Sequence, residues 1–374
     1  MRDLIARLAR RARRPGRDEQ GAVAVLVAIL IGGGVLLGMG ALVIDAGQLY
    51  QERAELQNGA DAAAVGVAKT CALGACNPAA AGTYADANAS ALTGGTAGVS
   101  QVCGSGTLGS CPAGTGGPTS CPPPPAGANY VDVSTSTRTA SGSTLLPPVF
   151  GRAVLGNSGY QGSTVRACAQ AEWGTPSAAT TAGVTISACA WDQATQQGTS
   201  FAPAPPYPPS PQPLASADQV LRPDAGNGAG CAGEPGGADG PGSFGWAAHA
   251  RGNCTLPIGG SSFAGRTRAS VSFSCQRVLQ NSQQHRAPII VPIYVSVHAG
   301  PTFTLKGFAA FVVTGYHLLG FRGTSFDAPD WLNPRNGCTG SDYCLNGYFT
   351  QGVVPFTGTF GGTNLGVSAI NLTG

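Results

Sequence analysis

LQNGADAAAVGVA, Leu56 to Ala68, is the stretch whose reading decides the fold. It is a run of good helix formers in a chain of 374 residues that holds 57 glycines and 28 prolines and is only 10% charged. Ala loses no side-chain entropy in a helix, whereas Gly and Pro oppose one, so the run marks helix where the composition otherwise discourages it. Working upstream and downstream from it, Leu42, Ala46, Leu49, Leu56, Ala60, Ala63 and Val67 recur at steps of three, four or seven, with Arg53 in the slot between Leu49 and Leu56. That spacing makes one stripe of one helix. Asp45, Glu52, Glu55 and Asp61 are expected on its other faces, keeping them soluble. The helix is expected to end near Lys69 or Cys71, where CALGACNPAAAG breaks the pattern, and a second small-residue helix is expected over 79–92.

Upstream, Gly21 to Ile44 contains no charged residue. About 20 helical residues cross the hydrocarbon core of a bilayer, so this run is long enough to span it as an uncleaved anchor. A secretory signal peptide would be shorter and would end at a small-residue cleavage site, which is not seen after Ile44. Gly34 and Gly38 stand at GxxxG spacing, which permits close helix approach in lipid. Seven arginines precede Gly21, while the other flank opens with Asp45. The positive-inside rule therefore predicts a cytoplasmic N-terminus and an exported remainder. Beyond the arm the chain is near neutral, with no basic face for nucleic acid.

Cysteine usage agrees with export. All 12 cysteines follow the apolar run, an even number suited to a disulfide-permissive compartment. Cys71 and Cys76, Cys103 and Cys111, and Cys338 and Cys344 are near neighbours and candidate pairs; the absence of any CxxC argues against a structural zinc site. From Gly94 to Pro125 the Gly, Ser, Thr and Pro content predicts irregular chain. Strands are expected in YVDVSTSTRT, STVRACAQAEW, GVTISACAW and RASVSFSCQRVL, with a short helix in LLPPVFGRAVLG. APIIVPIYVSVHA and TFTLKGFAAFVVTGYHLL are the strongest strands, joined as a hairpin. The expected class is α+β: one transmembrane helix continuing as a stalk, then a mainly β, disulfide-rich exported domain. The expected divisions are an Arg-rich arm at 1–20, the span at 21–44, the stalk at 45–70, an irregular region at 71–125, and the β domain at 126–374 with a Pro-rich loop at 201–213.

The helix and its flanks, GAVAVLVAIL...ALVIDAGQLYQERAELQNGADAAAVGVA, resemble the N-terminal region of TadG-like proteins of the Flp (tight adherence) pilus-assembly system. The residues that carry the likeness are Val43, Ile44, Asp45, Ala46, Gly47, Leu49, Tyr50, Arg53, Leu56, Gln57, Asn58, Ala60, Asp61, Ala62, Ala63 and Ala64. The resemblance covers 21 to about 68, and a looser one, strand, short helix and strand, covers 131–174. It implies a component of pilus assembly or of the associated envelope, with the inner membrane and other assembly proteins as partners. Asp45, Gly47, Tyr50, Arg53, Leu56, Gln57, Asn58 and Asp61 are the motif residues that would face a partner helix. Relatives processed like prepilins carry a Glu where Leu26 stands here, which again favours an uncleaved anchor.

Asp132, Ser134 and Ser136 fit the D-x-S-x-S pattern by which von Willebrand A domains present oxygen ligands to a divalent cation. Weak flanking strands argue against that fold, and Asp132 is expected to face outward from an exposed strand. A cation-dependent adhesin using these residues is the alternative function. The histidines His249, His285, His298 and His317 are scattered outside any catalytic pattern, so an enzyme is a second alternative with no named residues. GAGCAGEPGGADGPG lacks the Lys-Ser/Thr of a phosphate loop. Trp173, Trp191, Trp246 and Trp331 are expected in a core rather than a binding groove. No cofactor or small-molecule substrate is implied, and the expected role is non-enzymatic, acting by helix packing and surface contacts.

Overall fold

The computed structural model describes residues 18–89, 96–112, 120–150, 161–203, 215–223, 242–247, 254–266, 271–298, 302–334, 343–355 and 358–373. Most of the arginine arm, the Pro-rich loop from 204, Cys338, His249 and the Gly-rich stretch at 227–241 lie outside these residues. The fold is α+β, with a mainly β C-terminal region and several disulfides. It divides into two compact units that interleave in sequence. The first takes Met1–Ala60, Gly82–Ser100 and Ser134–Ala167, the second Asp61–Ala81, Gln101–Val133 and Cys168–Gly374.

The apolar run does not form one helix. Helix α1, Asp18–Gly32, and helix α2, Val35–Ala72, are separated at Gly33 and Gly34. Gly34 takes φ +71°, a left-handed conformation that glycine adopts without steric cost, and its N–H is drawn to Ile31 O at 3.0 Å. Split this way, no helix among the described residues is long and apolar enough to cross a membrane. The helix expected to run unbroken over 21–44 is interrupted: a run of three glycines supplies the break that hydropathy alone does not register. Helix α3, Ala81–Asn88, follows a 3₁₀ turn that Pro78 opens.

Strand β1, Thr96–Gly104, occupies chain expected to be irregular. Strand β2, Asn129–Arg138, and strand β3, Arg166–Gly174, fall where alternation predicted strands. Leu145–Phe150, the described part of the expected short helix, carries a bridge from Leu146 to Ser163 instead; residues 151–156 lie outside the described chain. Strands β4, Ala178–Ala182, and β5, Val184–Ser187, come next, and Ser187 then caps helix α4, Ala188–Thr195, by accepting the Ala190 N–H. GVTISACAW is therefore half strand and half helix, switched at an N-cap serine. Short strands β6, Gln219–Leu221, β7, Phe244–Ala247, β8, Thr255–Gly259, and β9, Ser262–Arg266, lead to helix α5, Phe273–His285. Helix α5 replaces the strand expected in RASVSFSCQRVL. Ser272 accepts the Cys275 N–H, and Cys275, Leu279 and Ser282 form its buried face at helical spacing.

The hairpin forms as expected from β10, Ile289–His298, and β11, Thr302–Leu319. It is followed by β12, Ser325–Ala328, β13, Cys344–Thr350, β14, Gly352–Pro355, β15, Thr363–Asn364, and β16, Val367–Leu372. One sheet has the order β1-β2-β3-β16-β14; the larger runs β10-β5-β7-β9-β11-β13-β6. Because β10 also pairs with β11, the strands β10, β5, β7, β9 and β11 close into a ring, which leaves no free edge among them. The ring is narrow: a Cβ on Gly265 would lie 2.1 Å from the Phe303 ring, so that aromatic fills space only a glycine leaves open. Trp191 and Trp246 lie in the apolar core with Phe244, Ile293 and Phe311, and Cys254–Cys275 ties the start of β8 to α5.

Candidate functional site

Within the first unit, α2 is built to approach its neighbours closely. Leu56 is buried and its carbonyl accepts the Thr135 hydroxyl of β2 at 3.0 Å. At Gly59, one turn on, a Cβ would stand 3.1 Å from Ala85 O, 3.2 Å from the Ala89 Cβ and 3.3 Å from the Ala97 Cβ. Helix α2, the α3 segment and β1 meet there through small residues alone. Ala60, Ala63, Ala64, Val67 and Ala68 are likewise buried, so the stripe expected to meet a partner helix is covered by this chain itself. The upper end of the expected stripe differs, because Leu42 is exposed.

One turn before Leu56 the buried slot belongs to Glu52, not to Arg53. Glu52 is 2% exposed, although the sequence reading placed it on a soluble face, and Arg53 is only half-buried. A step of four aligns 52 with 56 and 60, which the choice of Arg53 had missed. Burial pushes the Glu52 carboxyl above its ordinary range. A hydrogen bond with Thr137 partly offsets this, and the nearby Glu55 charge adds to it. Its Oε2 meets no hydrogen-bond partner among the described residues.

The remaining motif residues divide by face. Asp45 turns its carboxylate to the chain at 149–150, where Oδ1 accepts the N–H of Val149 at 2.9 Å and of Phe150 at 3.1 Å. Tyr50 is 76% exposed, a Cβ on Gly47 would meet nothing within 4 Å, and Asn58 is exposed. Gln57 and Asp61 are half-buried.

The second unit holds a polar network that no motif in the sequence announces. Asp330, 6% exposed, accepts the N–H groups of Leu332 and Asn333 through Oδ1, both at 2.9 Å, and the Asn346 amide through Oδ2 at 2.8 Å. The Asp218 carboxyl bonds to it as well, and Asp218 Oδ1 accepts the Thr314 hydroxyl at 2.7 Å. Burial pushes Asp330 up, but these four hydrogen bonds outweigh it, and its carboxyl is held below the usual range. Close approach is enforced at Gly315, where a Cβ would fall 2.7 Å from the Asp330 Cα. Beside the network Arg286 lies 4.3 Å over the Trp331 ring, and burial lifts the Tyr348 hydroxyl to about 12. Asp218, Thr314, Asp330 and Asn346 are far apart in sequence; only the fold collects them.

The D-x-S-x-S residues do not form an open cation site. Asp132 is buried rather than outward-facing, because both faces of β2 are covered where Val131, Asp132 and Val133 follow one another. Its Oδ1 accepts the Gln170 amide at 2.9 Å, and burial raises its carboxyl against that bond. Ser136 donates its hydroxyl to Gly98 O, and Ser134 is half-buried. Donor atoms of Cys103, Cys111 and Asp132 lie within 4.8 Å of one another, but the two cysteines form a disulfide and present no thiolate to a metal. Cys71–Cys76 and Cys121–Cys168 also pair, and Cys344 is disulfide-bonded. His317 faces Asp327 across β11 and β12, two residues before the end of β11.

Residues 21–70 match the family of Flp pilus-assembly TadE/G-like proteins, Tad. This N-terminal stretch is similar to the Tad family, and residues 21–70 are the Tad-like segment of the chain. Its family description ties it to Flp pilus assembly. The Tad-like segment stops two residues short of the end of α2 and so contains Asp45, Tyr50, Glu52, Leu56 and Gly59, but none of the Asp330 network. No curated protein and no solved structure matches the chain.

Proposed function

We propose that the protein is a non-enzymatic component of Flp-type pilus assembly, held at the cytoplasmic membrane by the apolar residues 21–44, with its N-terminus inside and the β-rich unit outside. The observation that carries the reading is the Tad match over 21–70. Exposure supports it: Val23, Leu26, Ile29, Met39, Leu42, Val43 and Ile44 are large apolar side chains left mostly exposed among the described residues. Contiguous apolar surface of this kind marks a membrane or protein contact. The flanking arginines and Asp45 supply the orientation.

Since the Ala-rich face is buried at home, the partner contact falls to the outward face of α2, where Tyr50 is the most exposed large side chain. Removing the Tad-like segment would also remove Leu56 and the buried alanines, so a point substitution is the cleaner test. Full-length Tyr50→Ala should still enter the membrane fraction but capture fewer pilus-assembly proteins in a mild-detergent pull-down. Equal capture would place recognition elsewhere on the chain.

A further inference from the structure

We infer that residues 145–150 form a second membrane contact, a loop that Asp45 holds against the lipid–water interface where the apolar run ends. This rests on the anchoring of 21–44 proposed above. The hexapeptide LLPPVF has no polar side chain, and its Leu145, Pro147, Val149 and Phe150 are exposed, Val149 to 56% and Phe150 to 43%. An apolar tip of this size left uncovered is unusual on a soluble surface. Its position is fixed from two sides, both within the first unit. Asp45, the first charged residue after Ile44, binds the Val149 and Phe150 N–H groups through one carboxylate oxygen. Leu146 is buried and bridges Ser163 through paired backbone bonds of 2.9 and 3.2 Å. Gly162 makes that bridge possible: a Cβ there would stand 2.0 Å from Leu146 O.

The occupant follows from continuity. Leu42, Val43 and Ile44, exposed on the last turn of the apolar run, directly precede the residue that grips the loop. If those side chains lie in lipid, a loop fixed to the next residue sits at the level of the headgroups, where apolar side chains bury to a depth of ~5–10 Å. Asp45 then does two things: it ends the apolar run, and it consumes two backbone donors that would otherwise have to be desolvated as the loop meets the interface. The prolines Pro147 and Pro148 bring no N–H at all.

The test uses the full chain in phosphatidylethanolamine–phosphatidylglycerol vesicles containing lipids brominated high on the acyl chains. Phe150→Trp is compared with the parent, whose four tryptophans set the background. The expected result is co-flotation of both proteins, with a blue-shifted emission from Trp at 150 and bromine quenching above the parent. Adding Asp45→Ala should leave flotation intact and reduce that extra quenching. Flotation without extra quenching at 150 overturns the interfacial loop while leaving the anchor standing. Absence of flotation overturns the anchor and the loop with it. Unchanged quenching in the Asp45→Ala background removes Asp45 from its positioning role.

Discussion

Glu52 in the Tad-like helix and Asp330 in the β-rich unit are carboxylates buried almost equally, at 2% and 6% exposure, yet their surroundings drive them in opposite directions. At Glu52 desolvation wins: a hydrogen bond with Thr137 meets the carboxyl, Oε2 has no hydrogen-bond partner among the described residues, and the charged form is disfavoured. At Asp330 the same desolvation loses to two backbone N–H groups, one amide and one carboxyl, and the charged form is held. Burial alone therefore does not predict the ionisation of a carboxyl here. The number of donors aimed at it does.

The largest test of that contrast is Asp330→Ala. It leaves the Leu332 and Asn333 N–H groups, the Asn346 amide and the Asp218 carboxyl short of their acceptor in a dry site. Orphaned buried groups cost roughly 1–3 kcal/mol each side of a lost bond, and a loss of about 3 kcal/mol in urea unfolding is expected. A loss below about 1 kcal/mol would mean that water enters and replaces the carboxylate. The parent contribution also has a pH sign. The folded value is depressed, so the stabilisation is present above the ordinary carboxylate range and fades as pH falls through the lower folded value.

Glu52→Gln should act in the other direction and by less. The folded value is raised, so the favourable contribution is complete below the ordinary carboxylate range and is lost as pH rises through the folded value. Above the folded value the parent carries a buried, underbonded carboxylate, and there the neutral amide should raise stability by about 1–2 kcal/mol. The gain should close toward acid pH. A gain that persists unchanged in acid would show that charge was not its source.

The same contrast separates what could be read in the sequence from what could not. The helix over Leu56–Ala68, the β2 and β3 strands and the β10–β11 hairpin follow from local pattern: a stripe at helical spacing in the first, alternation or an apolar run in the strands, although the strands are buried on both faces over much of their length. The failures have local physical causes. Ser187 and Ser272 are N-caps that begin helices inside apolar runs resembling strands, and Gly33 with Gly34 breaks a run that hydropathy joins. At the site, Leu56 and the alanines were legible as a buried stripe, but Glu52 was not, since a polar residue at a core step looks like a phase error in the pattern. The Asp330 network was beyond reach: Asp218 and Asp330 lie 112 positions apart, and the close approach of Asp330 to β11 rests on the absence of a side chain at Gly315.

Asp132 stands between the two extremes and gives the finest test. Like Glu52 it is buried with a raised carboxyl, and like Asp330 it has a well-placed donor, the Gln170 amide at 2.9 Å. With one donor against Asp330's four, desolvation still wins. Asparagine keeps an oxygen for Gln170 and removes the charge. Asp132→Asn should therefore raise the free energy of urea unfolding slightly above the folded value, by under about 1 kcal/mol, with the difference shrinking in acid. A loss of stability at every pH would mean that the Gln170 bond depends on a full negative charge and outweighs the cost of burying it. Donor count would then be too coarse a rule, and the strength of each donor would have to enter as well.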